Sequence, residues 1–218
     1  FFTPIYFPGN ELFIYGPRAL EKSLEEALMF QMQYSYFPVR GVELAARVNF
    51  TELGEETFPV GDIEVSTKSM NHPIGVLAYK FKHKGRTAIY TGDNEPYYDV
   101  LDGKTGRQDT STHRRAEFIK DCNDRVADYV KGTDLFIADS QYTDEEYETK
   151  RGWGHSSIGY VLELAARTQV KHVALFHHEP THDDKQLDII EKQAIAKGKK
   201  LSPKMKVTMA REGDELSV

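Results

Sequence analysis

Cysteine is nearly missing from this sequence: Cys122 is the single one in 218 residues. An internal disulfide is therefore excluded, and a reducing, cytoplasmic compartment is the expectation. Cys122 falls on the apolar side of a helical pattern and reads as a small core residue. No apolar run approaches the roughly 18 residues that would cross a bilayer, so no membrane partner is expected. Positive charge is in deficit, with 28 Lys and Arg against 34 Asp and Glu, a net charge of −6. A broad surface tracking long nucleic acid is therefore not expected. Internal repeats, low-complexity tracts and linkers are absent as well. What is present, 39% hydrophobic and 28% charged residues, describes a globular chain able to bury one core, and a single domain over 1–218 is the expectation.

The apolar pattern mixes strands and helices. Glu11 to Tyr15 reads as a strand broken by Gly16 and Pro17, with Pro17 opening a helix that carries Leu20, Leu24, Ala27 and Leu28 to about Gln33. The aromatic stretch 1–10, with Pro4, Pro8 and Gly9, reads as a loop packing on or near a site, and Tyr34 to Phe37 before Pro38 as another aromatic loop. Strands are predicted over 47–53, 63–70, 75–83 and 87–90, with Lys84-Gly85 as a hairpin turn. The polar stretch 97–112 reads as a surface loop. Phe118 to Val130 gives a helix closed by Gly132, and Leu135 to Ala138 a core strand. A helix from Ile158 to Ala165 is capped by a serine, and one around Leu187 to Ala194 is closed by Gly198. The last strand is 206–209. Hairpins come first and strand–helix alternation later, which is an α/β pattern.

The chemistry-bearing residues fall where strands give way to loops. The run from Lys171 to Asp183 is the richest: Val173 to Phe176 is a buried strand, followed by His177, His178 and His182. Imidazoles at the carboxyl end of a core strand stand where open α/β sheets place their chemistry, and they suit zinc, iron and related ions. His72 follows the strand ending at Met70, Asp93 the strand ending at Tyr90, and Asp139 the strand ending at Ala138. Each has a plain structural reading alone, as a turn, an Asx turn or a cap. Their recurrence in one order, with His155 in Gly154-His155-Ser156 added, favours a metal centre assembled at one sheet edge.

The ordered set resembles the metallo-β-lactamase superfamily, and within it the phosphodiesterase and tRNase Z-like branch. His72 matches the family's isolated histidine, Asp93 in Tyr90-Thr-Gly-Asp the aspartate that bridges two metals, and His177 the final ligand histidine, with His178 as the alternative. Gly154-His155-Ser156 ahead of a helix resembles the Gly-His-Ser motif of this branch and is the most discriminating local feature. The resemblance implies a four-layer αβ/βα sandwich with mixed sheets and a metal set of His72, Asp93 and His177. It also implies a proton donor at His155. Asp139 is a positioning partner or ligand, with His178 and His182 as further ligand candidates. Trp153, Tyr142 and Ser156 flank the same loops and are candidate substrate contacts, although for the two aromatics core packing stands ahead.

One departure matters. The family's His-x-His-x-Asp-His signature does not occur here, and the sequence reads as starting just after it, without the first strands and first metal motif. An exposed core edge, and with it a homo-oligomer, is then expected, and this stretch alone is expected to bind metal weakly. The implied activity is hydrolysis of a phosphodiester, in a small or cyclic nucleotide, by hydroxide generated at two divalent ions, zinc first and manganese or iron as alternatives. Two other readings stay open. One is a non-catalytic binding or interaction protein on a decayed hydrolase scaffold. The other is a thioester- or lactone-cleaving hydrolase of the same superfamily, against which the Gly-His-Ser motif argues.

Overall fold

The computed structural model describes residues 2–18, 21–101 and 110–218. Leu20 and much of the loop read at 97–112 lie outside the described residues. The chain divides into two compact units, 1–56 and 57–218, where the composition predicts one domain.

The first unit holds α1 (Phe2–Ile5), β1 (Glu11–Pro17), α2 (Leu24–Gln31), a 3₁₀ turn at Gly41–Glu43 and β2 (Arg47–Leu53). The segment 1–10, read as loop, thus contains a short helix. β1 and β2 pair in parallel from Glu11↔Arg47 to Pro17↔Leu53. Gly16 and Pro17 do not break β1 as expected. Pro17, which has no N–H to donate, sits at the strand's last position, where it is tolerated. The helix starts later, at a capping box in which Ser23 and Glu26 satisfy each other's backbone N–H.

The second unit is built on a seven-stranded sheet of β3 (Thr57–Val60), β4 (Ile63–Met70), β5 (Val76–His83), β6 (Arg86–Tyr90), β7 (Leu135–Asp139), β8 (His172–Phe176) and β9 (Lys206–Met209), in that spatial order. β3 to β6 pair antiparallel, and β6 to β9 parallel. Two reversals between β4 and β6 make them run the same way. The carboxyl ends of β4, β6, β7 and β8 therefore share one edge of the sheet. That is the geometry the strand-end residues require.

Helices α3 (Thr110–Val130), α4 (Asp144–Lys150), α5 (Ile158–Arg167) and α6 (Asp184–Leu201) complete the unit. Val126 and Val130 of α3, Val161, Leu162 and Ala165 of α5, and Ile190 and Ala194 of α6 close one core over Ala78, Ile89, Phe136, Val173, Leu175 and Val207. Alternate residues along each strand supply that face, as the period of two demands. β3 and α4 escape the sequence reading. β3 is a four-residue edge strand containing Pro59, and α4 has no buried residue to give it an apolar stripe. Gly198 does not end α6, which runs on to Leu201. A Cβ there would meet Val207 Cγ2 at 2.5 Å, so the glycine admits close helix–strand packing. Cys122, on α3, is half-buried.

The edge opposite the strand ends is tied by Asp134. Its carboxylate accepts from Lys171 Nζ at 2.6 Å and from the N–H and hydroxyl of Thr87 at 2.9 and 3.1 Å, joining the starts of β6, β7 and β8. The Lys171 ammonium, helped by Thr87 and opposed by burial, holds the Asp134 carboxyl down at about 2. A carboxyl depressed on folding stabilises the fold above its unfolded value, and that contribution fades as pH falls through the folded value. Asp134→Ala should therefore cost about 2 kcal/mol near neutrality in urea unfolding. The gap to the parent protein should narrow between about pH 4 and about pH 2. A gap independent of pH would show that the carboxylate charge is not what holds this edge.

Candidate metal centre

Asp93 lies in the loop after β6, Asp139 ends β7, His177 follows β8, and His155 leads into α5. One ligand atom from each of the four falls within 4.8 Å of all the others. His177 Nε2 stands 3.7 Å from Asp93 Oδ1, too long for a hydrogen bond and close to the spacing of two ligands on one cation, which at bond lengths of about 2.1 Å is roughly 3.4 Å. His177 Nδ1 is buried and has no hydrogen-bond partner. The residue also sits at φ +61°, a left-handed conformation that costs a non-glycine residue of order 1 kcal/mol. An imidazole held in strain with an unanswered nitrogen, beside a carboxylate and a second imidazole, fits a cation-binding role. Its ring stacks on His155 with centroids 4.7 Å apart.

Asp139 is 1% exposed and thoroughly engaged. Oδ2 accepts from the Asn94 N–H and from His155 Nδ1, both at 2.8 Å, and Oδ1 accepts from the Gln141 N–H at 3.2 Å. A carboxylate only accepts, so Nδ1 of His155 carries the hydrogen and Nε2 is left to face the cluster. The Asp139 carboxylate holds the His155 imidazole above the usual histidine range, against the burial that would lower it, and the charges of Asp93 and Glu95 add to the effect. The sequence reading has Asp139 orient a ligand histidine; the histidine it holds is His155.

His72 joins through His155. The two rings meet edge to face with centroids 5.6 Å apart. Nδ1 of His72 is occupied by the backbone of Ile74, which leaves Nε2 free. The loop carrying His155 is fixed by Glu95, a 3%-exposed residue that composition and pattern do not single out. Its carboxylate accepts from Tyr147 Oη at 2.8 Å, Gly152 N at 2.8 Å and Gly154 N at 3.1 Å. The only sequence signal was its place in Thr91-Gly-Asp-Asn-Glu95, and that pointed to Asp93.

Other candidates lie apart from the cluster. His178 gives Nε2 to the Ala210 carbonyl at 3.0 Å, which separates it from its neighbour His177. His182 is paired with Glu146 at 2.7 Å and takes no part in the group. Ser156 is fully buried, and its hydroxyl exchanges hydrogen bonds with Asn94, at 2.7 Å to the carbonyl and 3.3 Å from the side-chain amide. That arrangement leaves Ser156 no face for substrate. Tyr142 is 2% exposed and packs its ring against His155, whereas Trp153 is 60% exposed.

No family model matches the chain. Ribonuclease Z of Brevibacillus brevis is 21% identical over 214 residues, covering 87% of this chain and 65% of the relative. The metallo-β-lactamase fold protein YhfI from Bacillus subtilis superposes with a TM-score of 0.60 at 14% identity, over 94% of this chain and 64% of that one. The chain has the metallo-β-lactamase fold. A diphosphatase of the PhnP family is also similar, with a TM-score of 0.58 at 14% identity, over 99% of this chain and 63% of the other. The chain thus spans just under two thirds of the length of these three proteins, and a second ribonuclease Z, from Thermoplasma acidophilum, is 22% identical over 203 residues, covering 80% of this chain and 61% of the relative. Among the described residues, no helix is long and apolar enough to cross a membrane.

Gly154 shows how tightly the loop is set. It sits at φ +93°, and a Cβ there would lie 2.5 Å from the His72 ring and 2.6 Å from Pro73. Gly154→Ala should lower stability by about 2 kcal/mol in denaturant unfolding, through backbone strain and displacement of His72. Unchanged stability would mean that the loop does not need its glycine.

Proposed function

We propose that the chain belongs to a metal-dependent phosphodiesterase in which Asp93 and His177 hold a divalent cation and His155, oriented by Asp139, serves the leaving oxygen. The observation that carries this reading is the convergence of these four side chains, from four separate segments, within 4.8 Å. A carboxylate and an imidazole, with the His72 ring close by, suit zinc first, with manganese or iron as alternatives. Asp93 has two oxygens and a negative charge, so its carboxylate would hold divalent metal together with His177. His72 offers Nε2 as a further ligand. Divalent ions bound here would supply Lewis-acid polarisation of a phosphate oxygen and an activated water.

The chain's own residues do the rest. His155, with Nδ1 anchored on Asp139, presents Nε2 to the phosphodiester. The Asp139 carboxylate favours the charged ring, so His155 is placed to hydrogen-bond a phosphate oxygen and donate its Nε2 proton to the departing oxygen. Asp139 stabilises the charged ring and fixes its tautomer. For the substrate, a small or cyclic nucleotide fits the net charge of −6. An RNA terminus is the second reading, favoured by the ribonuclease Z name of the relatives.

In the natural polypeptide, bis-p-nitrophenyl phosphate should be hydrolysed with zinc or manganese and not after chelation. His155→Ala should lower kcat by about 100-fold or more with metal content unchanged, and Asp93→Ala should lose the metal itself. Elemental analysis alongside the assay separates the readings. Bound metal without turnover of any phosphodiester overturns the activity proposed, and a metal-free, inactive protein supports the non-catalytic scaffold.

A further inference from the structure

The loop that presents His155 also carries an exposed indole. Trp153 is 60% exposed, although the glycines on either side of it are pinned through their N–H groups to the buried Glu95 carboxylate. Gly152 and Gly154 both adopt positive φ, of 95° and 93°. The backbone of Trp153 is thus held from both sides while its ring stays in water. Leaving so large an apolar surface exposed forgoes hydrophobic stabilisation, and a fixed backbone lowers the entropic cost of covering that surface later. Cations accompany the aromatics here. Lys150 Nζ lies 4.1 Å from the Trp153 ring centroid, and the Arg151 guanidinium 5.3 Å from that of Tyr98. Beside them a cleft of about 160 Å³ is lined by His72, Pro73, Tyr97, Tyr98, Val100 and Gly152, so it opens onto the candidate ligand His72.

We propose that Trp153 is a stacking platform for a nucleobase next to the phosphodiester bound at the metal centre, with Lys150 and Arg151 neutralising the adjoining phosphate. Aromatic faces bind any base through its π surface, and neighbouring cations follow the backbone. The site takes one or two unpaired nucleotides. Glu145 and Glu148 precede the two cations on the short helix α4, and their negative charge opposes a longer polyanion. The inference rests on the phosphodiesterase reading for its ligand class, and it deepens that reading by naming the part of the substrate that is recognised.

Trp153 is the only tryptophan in these 218 residues, and the part of the emission that Trp153→Phe removes reports this site. Titration with adenosine monophosphate and with a short oligoadenylate should quench it saturably, and ribose 5-phosphate, which has no base, should not. By fluorescence anisotropy of a labelled oligoadenylate, Trp153→Ala should bind about 10-fold more weakly and Trp153→Phe within about 3-fold of the parent. Lys150→Ala should flatten the salt dependence of that binding. Equal responses to ribose 5-phosphate and the nucleotides, or full affinity in Trp153→Ala, would overturn the proposal. Neither measurement requires turnover, so a loss of bis-p-nitrophenyl phosphate hydrolysis bears on the hydrolase reading and leaves the quenching result to decide this one.

Discussion

A carboxylate removed from water has to have its charge answered by hydrogen bonds, and the site is organised by how Asp139 meets that requirement. An unpaired buried charge costs several kcal/mol, so the donors around it are held in place as firmly as the acid itself. Asp139 draws them from three segments: the N–H of Asn94 after β6, the N–H of Gln141 after β7, and the ring of His155 ahead of α5. The first of these fixes the peptide next to Asp93. The same carboxylate therefore sets where a candidate metal ligand stands and which nitrogen His155 presents. Further restraint comes from Thr91, whose hydroxyl oxygen accepts from the Asp139 N–H at 3.0 Å and donates its own hydrogen to the Gly92 carbonyl at 2.7 Å.

Glu95 repeats the device one layer out. It is buried, and its partners are two glycine N–H groups and the Tyr147 hydroxyl, whose ionisation is pushed up by burial and by that carboxylate. Asp93, Asn94 and Glu95 are consecutive, yet each acts on a different segment: Asp93 faces His177, Asn94 holds Asp139 and Ser156, and Glu95 holds the Gly152–Gly154 loop. A single loop thus determines the relative positions of the other three parts of the site. Substitution anywhere within it should disturb more than the side chain replaced, because the neighbouring residues share one backbone.

Much of the architecture was legible from periodicity. The strands at 47–53, 63–70 and 206–209 have the bounds their apolar pattern predicts, and the strand ends carry the polar groups that converge. The residues that misled did so for identifiable reasons. Gly198 looks like a helix stop because glycine usually ends helices, whereas here the demand is contact with Val207, which only the packed structure reveals. His177 and His178 cannot be told apart by sequence, since neighbours on an extended chain point to opposite sides only if the strand continues, and His177 leaves it through a left-handed turn. Ser156 was read through its motif, but its hydroxyl is spent on Asn94. Glu95 was missed because a buried acid and an exposed one are the same letter.

The two aspartates bounding β7 show how one strand separates stability from chemistry. Asp134, before its start, meets a lysine ammonium and the N–H and hydroxyl of Thr87, and these partners fix it as an anion down to about pH 2. Asp139, at its end, meets a histidine, a partner whose own charge changes near neutrality. Asp134, kept ionised throughout the physiological range by its lysine partner, can only hold. An aspartate paired with histidine can hold and also let its partner give up a proton. Placing the first pair at the amino edge of the parallel strands and the second at the carboxyl edge, with four residues between them, keeps the reactive edge anchored by a charge pair that its chemistry does not touch.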